Sequence, residues 1–290
     1  MEKMIIATDS CCDLSAKAVK DMNIEIIPLS VEIGGKNYSH YPDERNLTTA
    51  KFYDLMREKK VATTSQINPD AFIQFFEEFV KEGKQVLYIG FSSQLSGTFN
   101  SSRIAVEELK TKYPNCNVIT IDSLCASSGQ GMLVWYAWKL KEEGKSINEI
   151  ATIVENVKLK ITHIFTVNDL GTLKRGGRLS APKAFLGSLL GVKPILHTTN
   201  EGKLSPIRKA RGRNASLKAL VDLVEEKIEN PTGQTIFISH SDALDEAKYI
   251  GEKIKEKYKI KEIMYNQIGP IIGAHTGPGT LAVFFFGKER

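Results

Sequence analysis

The chain contains no apolar run approaching the roughly 20 residues a membrane span needs. It has no long Lys/Arg run and no basic–aromatic interleaving. Its net charge of +5 over 290 residues is modest, so nothing supports nucleic-acid binding as the main function. Neither a G-x-G-x-x-G fingerprint nor a P-loop is present, which disfavours dinucleotides and nucleoside triphosphates. Cysteine is scarce: Cys11, Cys12, Cys116 and Cys125 form no C-x-x-C pair. Adjacent cysteines bridge only with strain, so a reduced, cytoplasmic chain is the economical reading. His40, His163, His197 and His240 lack metal-type spacing and read as structural or solvated. No metal and no cofactor is expected. The stretch from Met1 reaches Asp9 too soon for the apolar region of a signal peptide. Internal repeats, low-complexity tracts and Pro/Gly/Ser-rich linkers are also missing.

What is present is an ordinary globular composition, 42% hydrophobic and 25% charged. The length exceeds that at which single cores tend to split, so two domains are expected. Strand-like runs at Met4–Thr8, Val86–Phe91 and Asn117–Ile121 alternate with helical patterns. Helices are expected over Ser15–Met22, Ala50–Lys59, Phe99–Lys112, Gly129–Glu143 and Ser146–Lys160, and after Asn68-Pro69, where proline stands at the first helical position. Phe72, Phe75, Phe76 and Phe79 at i, i+3, i+4, i+7 read as core. This alternation predicts a mostly parallel sheet covered on both faces, with ligands outside the carboxyl ends of its strands. Three hydroxyl-bearing loops fall at such ends: Thr8-Asp9-Ser10, Ser92–Thr98 and Asp122-Ser123. The Ser92–Thr98 loop precedes a helix, whose unpaired first-turn amides suit an anion. Lys36–Asn46 reads as irregular, and Ala62–Gln66 as another hydroxyl-rich loop.

The second half reads differently. Val192–Thr198 and Lys203–Ile207 flank a turn and form a hairpin signal. Strands over Thr162–Val167, Gln234–Ser239, Lys261–Gln267 and Leu281–Phe286, with helices Ala215–Glu229 and Ala243–Tyr258, complete a mixed or antiparallel α/β unit. The expected domains are 1–165 and 166–290. Leu170–Leu179 is basic and glycine-rich, and Arg208, Lys209, Arg211 and Arg213 cluster on one segment. His275 falls in a stretch, Gly269–Thr280, with four glycines and two prolines, read as a loop.

Five stretches now combine: Thr8-Asp9-Ser10-x-x-Asp13-Leu14, Thr64-Ser65-Gln66, Ser92-Ser93-x-Leu95-Ser96-Gly97-Thr98, Leu173-Lys174-Arg175-Gly176-Gly177-Arg178-Leu179-Ser180 and Ala274-His275-Thr276-Gly277-x-Gly279. In this order and over nearly the whole length, the chain resembles the DegV family, bacterial fatty-acid-binding proteins that serve as the FakB-type subunit of fatty acid kinase. One departure is Ile67, where the family usually has proline. The resemblance implies a long-chain fatty acid such as palmitate between the two domains, its carboxylate held by Thr64, Ser96 and His275. Ser93, Gly97 and Ser65 are implied as secondary head-group contacts. Arg211 falls where the family contacts its partner, the ATP-binding kinase subunit. The implied role is to present the carboxylate for phosphorylation and to carry the acyl-phosphate toward phospholipid synthesis, with at most transient membrane-surface contact. His275 is expected to be charged beside the carboxylate, its pKa raised from the ordinary value of about 6.5.

Two other readings compete. A serine-type lipid hydrolase would use Ser96 as nucleophile and His275 as base, but the loop lacks the G-x-S-x-G elbow and no acidic partner for His275 is identifiable. A phosphorylated-metabolite binder would use Arg175 and Arg178, yet glycine-flanked arginines are as often a solvated surface. Tunnel residues are not legible: Phe185, Leu186, Leu189 and Leu190 read equally well as ordinary core.

Overall fold

The computed structural model describes residues 3–180 and 191–290; Phe185, Leu186, Leu189 and Leu190 lie outside the described residues. The chain opens with β1 (Met4–Asp9), α1 (Ala16–Asp21), β2 (Ile24–Ile27), β3 (Ser30–Ile33), β4 (Lys36–Ser39), α2 (Thr49–Arg57) and β5 (Ala62–Ser65). It continues through α3 (Pro69–Lys81), β6 (Gln85–Gly90), α4 (Thr98–Lys112), β7 (Val118–Asp122), α5 (Ser128–Glu142) and α6 (Ile147–Val157). The second half runs β8 (Ile161–Thr166), α7 (Leu170–Arg175), β9 (Val192–Thr198), β10 (Leu204–Arg211), α8 (Arg213–Lys227) and β11 (Thr235–His240). It ends with α9 (Leu244–Lys257), β12 (Glu262–Gln267), α10 (Pro270–Thr276) and β13 (Leu281–Phe286).

The first sheet, in order β2-β1-β6-β7, is parallel throughout, as the strand–helix alternation predicts. The second, β10-β9-β8-β13-β11-β12, is antiparallel except for β11 with β12. The change of sheet comes before Ile161, ahead of the 165/166 division read from the sequence. Helix α5 packs against strands of both sheets. Small residues at its start make this possible: a Cβ at Gly129 would stand 2.0 Å from His163 Nε2, and one at Gly131 2.5 Å from the Cys12 carbonyl oxygen. Both faces of the second sheet are covered. Phe165 and Phe237 face the larger core shared with the first half, while Ile164, Ile236 and Ile238 face the smaller core under α8 and α9.

Three sequence expectations are corrected. Ala62–Gln66 is mostly strand: β5 pairs antiparallel with β3, and β4 pairs with the other edge of β3, so part of Lys36–Asn46 is also strand. Polar, hydroxyl-rich residues hide this pairing because the little sheet has only three short strands. The stretch around His275 is a helix, not a loop. Pro270 stands at its first position, and Gly277, at φ 78°, follows its end, the usual proline-in, glycine-out asymmetry. Leu170–Arg175 is likewise helical, capped by the Asp169 side chain on the Gly171 amide.

Of the three rim loops, two are consumed by the fold. The Asp9 carboxylate accepts from the Cys11 and Phe91 amides and the Tyr88 hydroxyl. Thr8 donates to the Ile89 carbonyl, Ser10 accepts from the Leu29 amide, and Asp122 accepts from the Ser93 and Leu124 amides. Ser123 accepts from Cys125.

Asp13 fastens the helix bearing His275 to the first half. One carboxylate oxygen accepts from the Gly269 amide at 2.9 Å and the other from the Ser127 hydroxyl at 2.5 Å. Burial pushes this carboxyl from 3.8 up to about 7. The folded value lies above the unfolded one, so folding binds a proton between them. Stability therefore falls as pH rises from about 4 to 7 and is level above. Asparagine suits the left-handed backbone at Asp13, φ 49°, and keeps an acceptor for Gly269 without the buried charge. Asp13→Asn should melt close to wild type near pH 4 and several degrees higher at pH 8.5. Parallel melting temperatures across that range would show that Asp13 does not titrate there.

Candidate functional site

One cavity of about 270 Å³ lies between the two sheets, with a lining that is mainly apolar. Phe91, Phe165, Ile271, Ile272, Ala282 and Phe284 contribute much of its wall. The polar lining gathers around Thr64, Ser96, His275 and Arg178. Four separate segments supply these groups: β5, the loop before α4, the last turn of α10 and the turn after α7.

Thr64 Oγ1 and His275 Nε2 are 2.8 Å apart, joining residues 211 positions distant in sequence. A Cβ at Gly176 would stand 2.5 Å from His275 Nδ1, so the glycine lets backbone close on the other side of the ring. Burial first, and the Arg178 charge second, lower the His275 pKa to about 4. The free protein therefore carries a neutral imidazole at pH 7; the charged ring expected beside the carboxylate concerns the ligand-bound state. Histidine NMR should give a ring midpoint near 4 without ligand. A midpoint near the ordinary 6.5 would mean that the ring is solvated.

The Ser96 hydroxyl is 3.0 Å from Thr98 Oγ1 and accepts from the Thr98 amide at 3.2 Å. The cap of α4 is Gly97, without a side-chain bond. A Cβ at Gly97 would stand 2.1 Å from Gln66 Oε1, so the glycine admits the Gln66 side chain, which lines the cavity. Ser65, Ser93 and Gly97 are not among the lining residues. Ser65 lies next to Thr64 on a strand and so faces the opposite side.

Arg178 is the residue that sequence reasoning undervalued. Its Nε donates to the Leu95 carbonyl at 3.1 Å and Nη1 to the Gly176 carbonyl, while Nη2 has no partner among the described residues. It is the one cation among the described lining residues. Arg175, by contrast, is exposed and bonds Thr172 on its own helix. The signal was in the motif itself, but which arginine turns inward depends on the turn after α7. His163 and Thr198 also line the cavity. Cys11 does too, yet burial and the Asp9 carboxylate push its thiol well above the ordinary range, so it is no nucleophile.

A serine hydrolase needs Ser96 bonded to His275; here the imidazole meets Thr64 and the serine meets Thr98. Among the described residues no group of three or more His, Cys, Asp or Glu is arranged to hold a metal. None of the described helices is long and apolar enough to cross a membrane.

These features define an α/β protein with an apolar cavity between a parallel and a mixed sheet, closed at one part of its wall by hydroxyls, an imidazole and a guanidinium. The chain belongs to the DegV family: the family model, described as "Uncharacterised protein, DegV family", matches residues 3–288. A DegV domain-containing protein of Clostridium perfringens is 48% identical over 290 residues, covering 100% of this chain and 99% of the relative. One from Streptococcus pyogenes is 36% identical, covering 98% of each. Among solved structures, a DegV family protein from Thermus thermophilus, described for its fatty acid binding, superposes with a TM-score of 0.89 at 28% identity, covering 98% of this chain and 99% of that one. The DegV fatty acid binding protein of Bacillus subtilis gives 0.86 at 30% identity, covering 99% and 100%.

Proposed function

We propose that the protein binds a long-chain fatty acid in this cavity and presents its carboxylate to a separate ATP-dependent kinase. The observation that carries the reading is the pairing of an apolar cavity with one cluster of carboxylate-binding groups, Thr64, Ser96, His275 and Arg178. The fatty acid binding of the Thermus and Bacillus relatives supports it. The hydroxyls of Thr64 and Ser96 donate to the carboxylate, and the guanidinium supplies the charge-assisted bond. About 14 methylenes at about 0.8 kcal/mol each give roughly 11 kcal/mol gross, against association and ordering costs of ~4–15 kcal/mol. The acyl chain thus provides the affinity, and the polar cluster fixes which end is reached by the kinase. No cofactor enters the binding step.

A bound carboxylate raises the His275 pKa from its low free-state value. Binding is therefore strengthened as pH falls through the bound-state value toward the free one, and levels off above the bound-state value. Calorimetry of delipidated protein with palmitate tests the core of the reading: one site per chain is expected, and no heat and no retention in native mass spectrometry would refute it.

Kinase docking is proposed at Arg211, exposed at the end of edge strand β10. Of its basic neighbours, Arg208 pairs with Glu226 and Arg213 with Glu246. Proline at 206 and the run of charges disfavour strand addition at this edge, which leaves side-chain electrostatics as the means of docking. Arg211→Ala should leave palmitate binding intact, slow kinase-dependent phosphorylation and flatten its salt dependence. Normal turnover at both low and physiological salt would reject this role.

A further inference from the structure

The cavity floor is one face of the second sheet. Leu204 pairs with Thr198, and His163 pairs with Phe284. The β8–β9 pairing runs from Thr166 with Ile195 to Ile164 with His197, and His163 and Thr198 are the next positions along it. Leu204, Thr198, His163 and Phe284 thus form one row across four strands, and all four line the cavity. Two members of this otherwise apolar row are polar. Thr198 is 1% exposed, and its Oγ1 has no hydrogen-bond partner among the described residues. Valine would fill the same space with no hydroxyl to satisfy. A buried hydroxyl without a partner is destabilising, which makes its presence in a ligand cavity informative.

His163, the other polar member, is by contrast already partnered. Its Nδ1 lies 2.9 Å from the Ile161 carbonyl oxygen, which only accepts, so Nδ1 carries the proton. Nε2 is then an acceptor; it already accepts from the Ala126 amide at 3.4 Å and is backed by Gly129 at the start of α5. Both ring nitrogens are thus engaged by backbone, and the polar group the row leaves open to a ligand is the Thr198 hydroxyl, which donates and accepts. An alcohol matches this group: its oxygen accepts from Thr198, or its O–H is given to Thr198 Oγ1. A keto oxygen satisfies only the donor.

Resting on the fatty-acid reading above, we infer that this row is a subsite for a hydroxyl on the acyl chain, so that the preferred ligand is a hydroxylated long-chain fatty acid. The position along the chain follows from the fold. Leu179, next to Arg178, bridges to Leu204, and Leu204 neighbours Thr198. Two strand spacings of about 4.8 Å therefore separate Thr198 from the residue beside the head-group cation, which places the hydroxyl in mid-chain rather than next to the carboxylate.

The test is calorimetry on delipidated protein with stearic, 2-hydroxystearic, 10-hydroxystearic and 12-hydroxystearic acids. At least one mid-chain isomer should bind about tenfold or more tighter than stearic acid, and the 2-hydroxy isomer should show no such gain. Thr198→Val, nearly isosteric, should abolish the preference, and Thr198→Ser should retain it. Stearic acid binding as tightly as both mid-chain isomers, or a preference untouched by Thr198→Val, overturns the inference. Binding of none of the four acids overturns the fatty-acid reading itself, whereas stearic acid binding without a hydroxyl preference overturns only the subsite.

Discussion

Arg178→Met should weaken palmitate binding about 10- to 100-fold. A hydrogen bond to a charged partner is worth about 1.5–3 kcal/mol, and Arg178 is the one cation lining the cavity among the described residues. The methylene stem is largely kept, so packing changes little; what disappears is the guanidinium and its bonds to the Leu95 and Gly176 carbonyls. Arg178→Lys should fall between, because an ammonium keeps the charge and loses the fork. A second readout separates the charge from a merely structural role. Arg178 helps to hold the His275 ring near 4, so in Arg178→Met the free-state midpoint should move upward. Unchanged affinity together with an unmoved histidine midpoint would remove Arg178 from the site.

Ala282→Phe should cost more. Ala282 is 5% exposed, lies opposite Phe165 in the β13–β8 register and lines the cavity floor. A benzyl group there takes up space that the acyl chain needs. Excluding about four methylenes forfeits about 3 kcal/mol, or about 100-fold in affinity for palmitate. The loss should shrink for shorter acids, so the preferred chain length should move down. Because the new ring enters a cavity rather than packed core, thermal stability should hold. Equal affinity for palmitate with an unaltered chain-length preference would show that the acyl chain lies elsewhere.

Much of the candidate site was legible because motif chemistry survives without knowledge of the fold. Thr64, Ser96 and His275 come from widely separated segments and line one cavity. The parallel first sheet was legible too, since buried strands and amphipathic helices carry distinct periods. What was hidden depends on tertiary pairing. β5 reads as a polar loop until β3 is placed beside it. Gly269–Thr280 reads as a loop because its glycines and prolines dominate, yet Pro270 and Gly277 bracket a helix that carries His275 on its last turn. The hydroxyls of Thr8, Ser10 and Ser123 resemble ligand groups in sequence and are spent inside the fold. The inward turn of Arg178, and the placing of Thr198 and His163 on one cavity wall, follow from a turn and a strand pairing that no local pattern encodes. The free-state charge of His275 was equally out of reach, because burial and a distant arginine set it.

The central claim is that the cavity holds a fatty acid without covalent attachment. The most direct measurement is mass spectrometry of the purified protein, intact under native conditions and again after denaturing lipid extraction. The account predicts one long-chain fatty acid per chain in the native spectrum, released in full on denaturation, with the protein then at its unmodified mass. An acyl adduct retained on Ser96, or a chain that carries no lipid and takes up none from added palmitate, would contradict it.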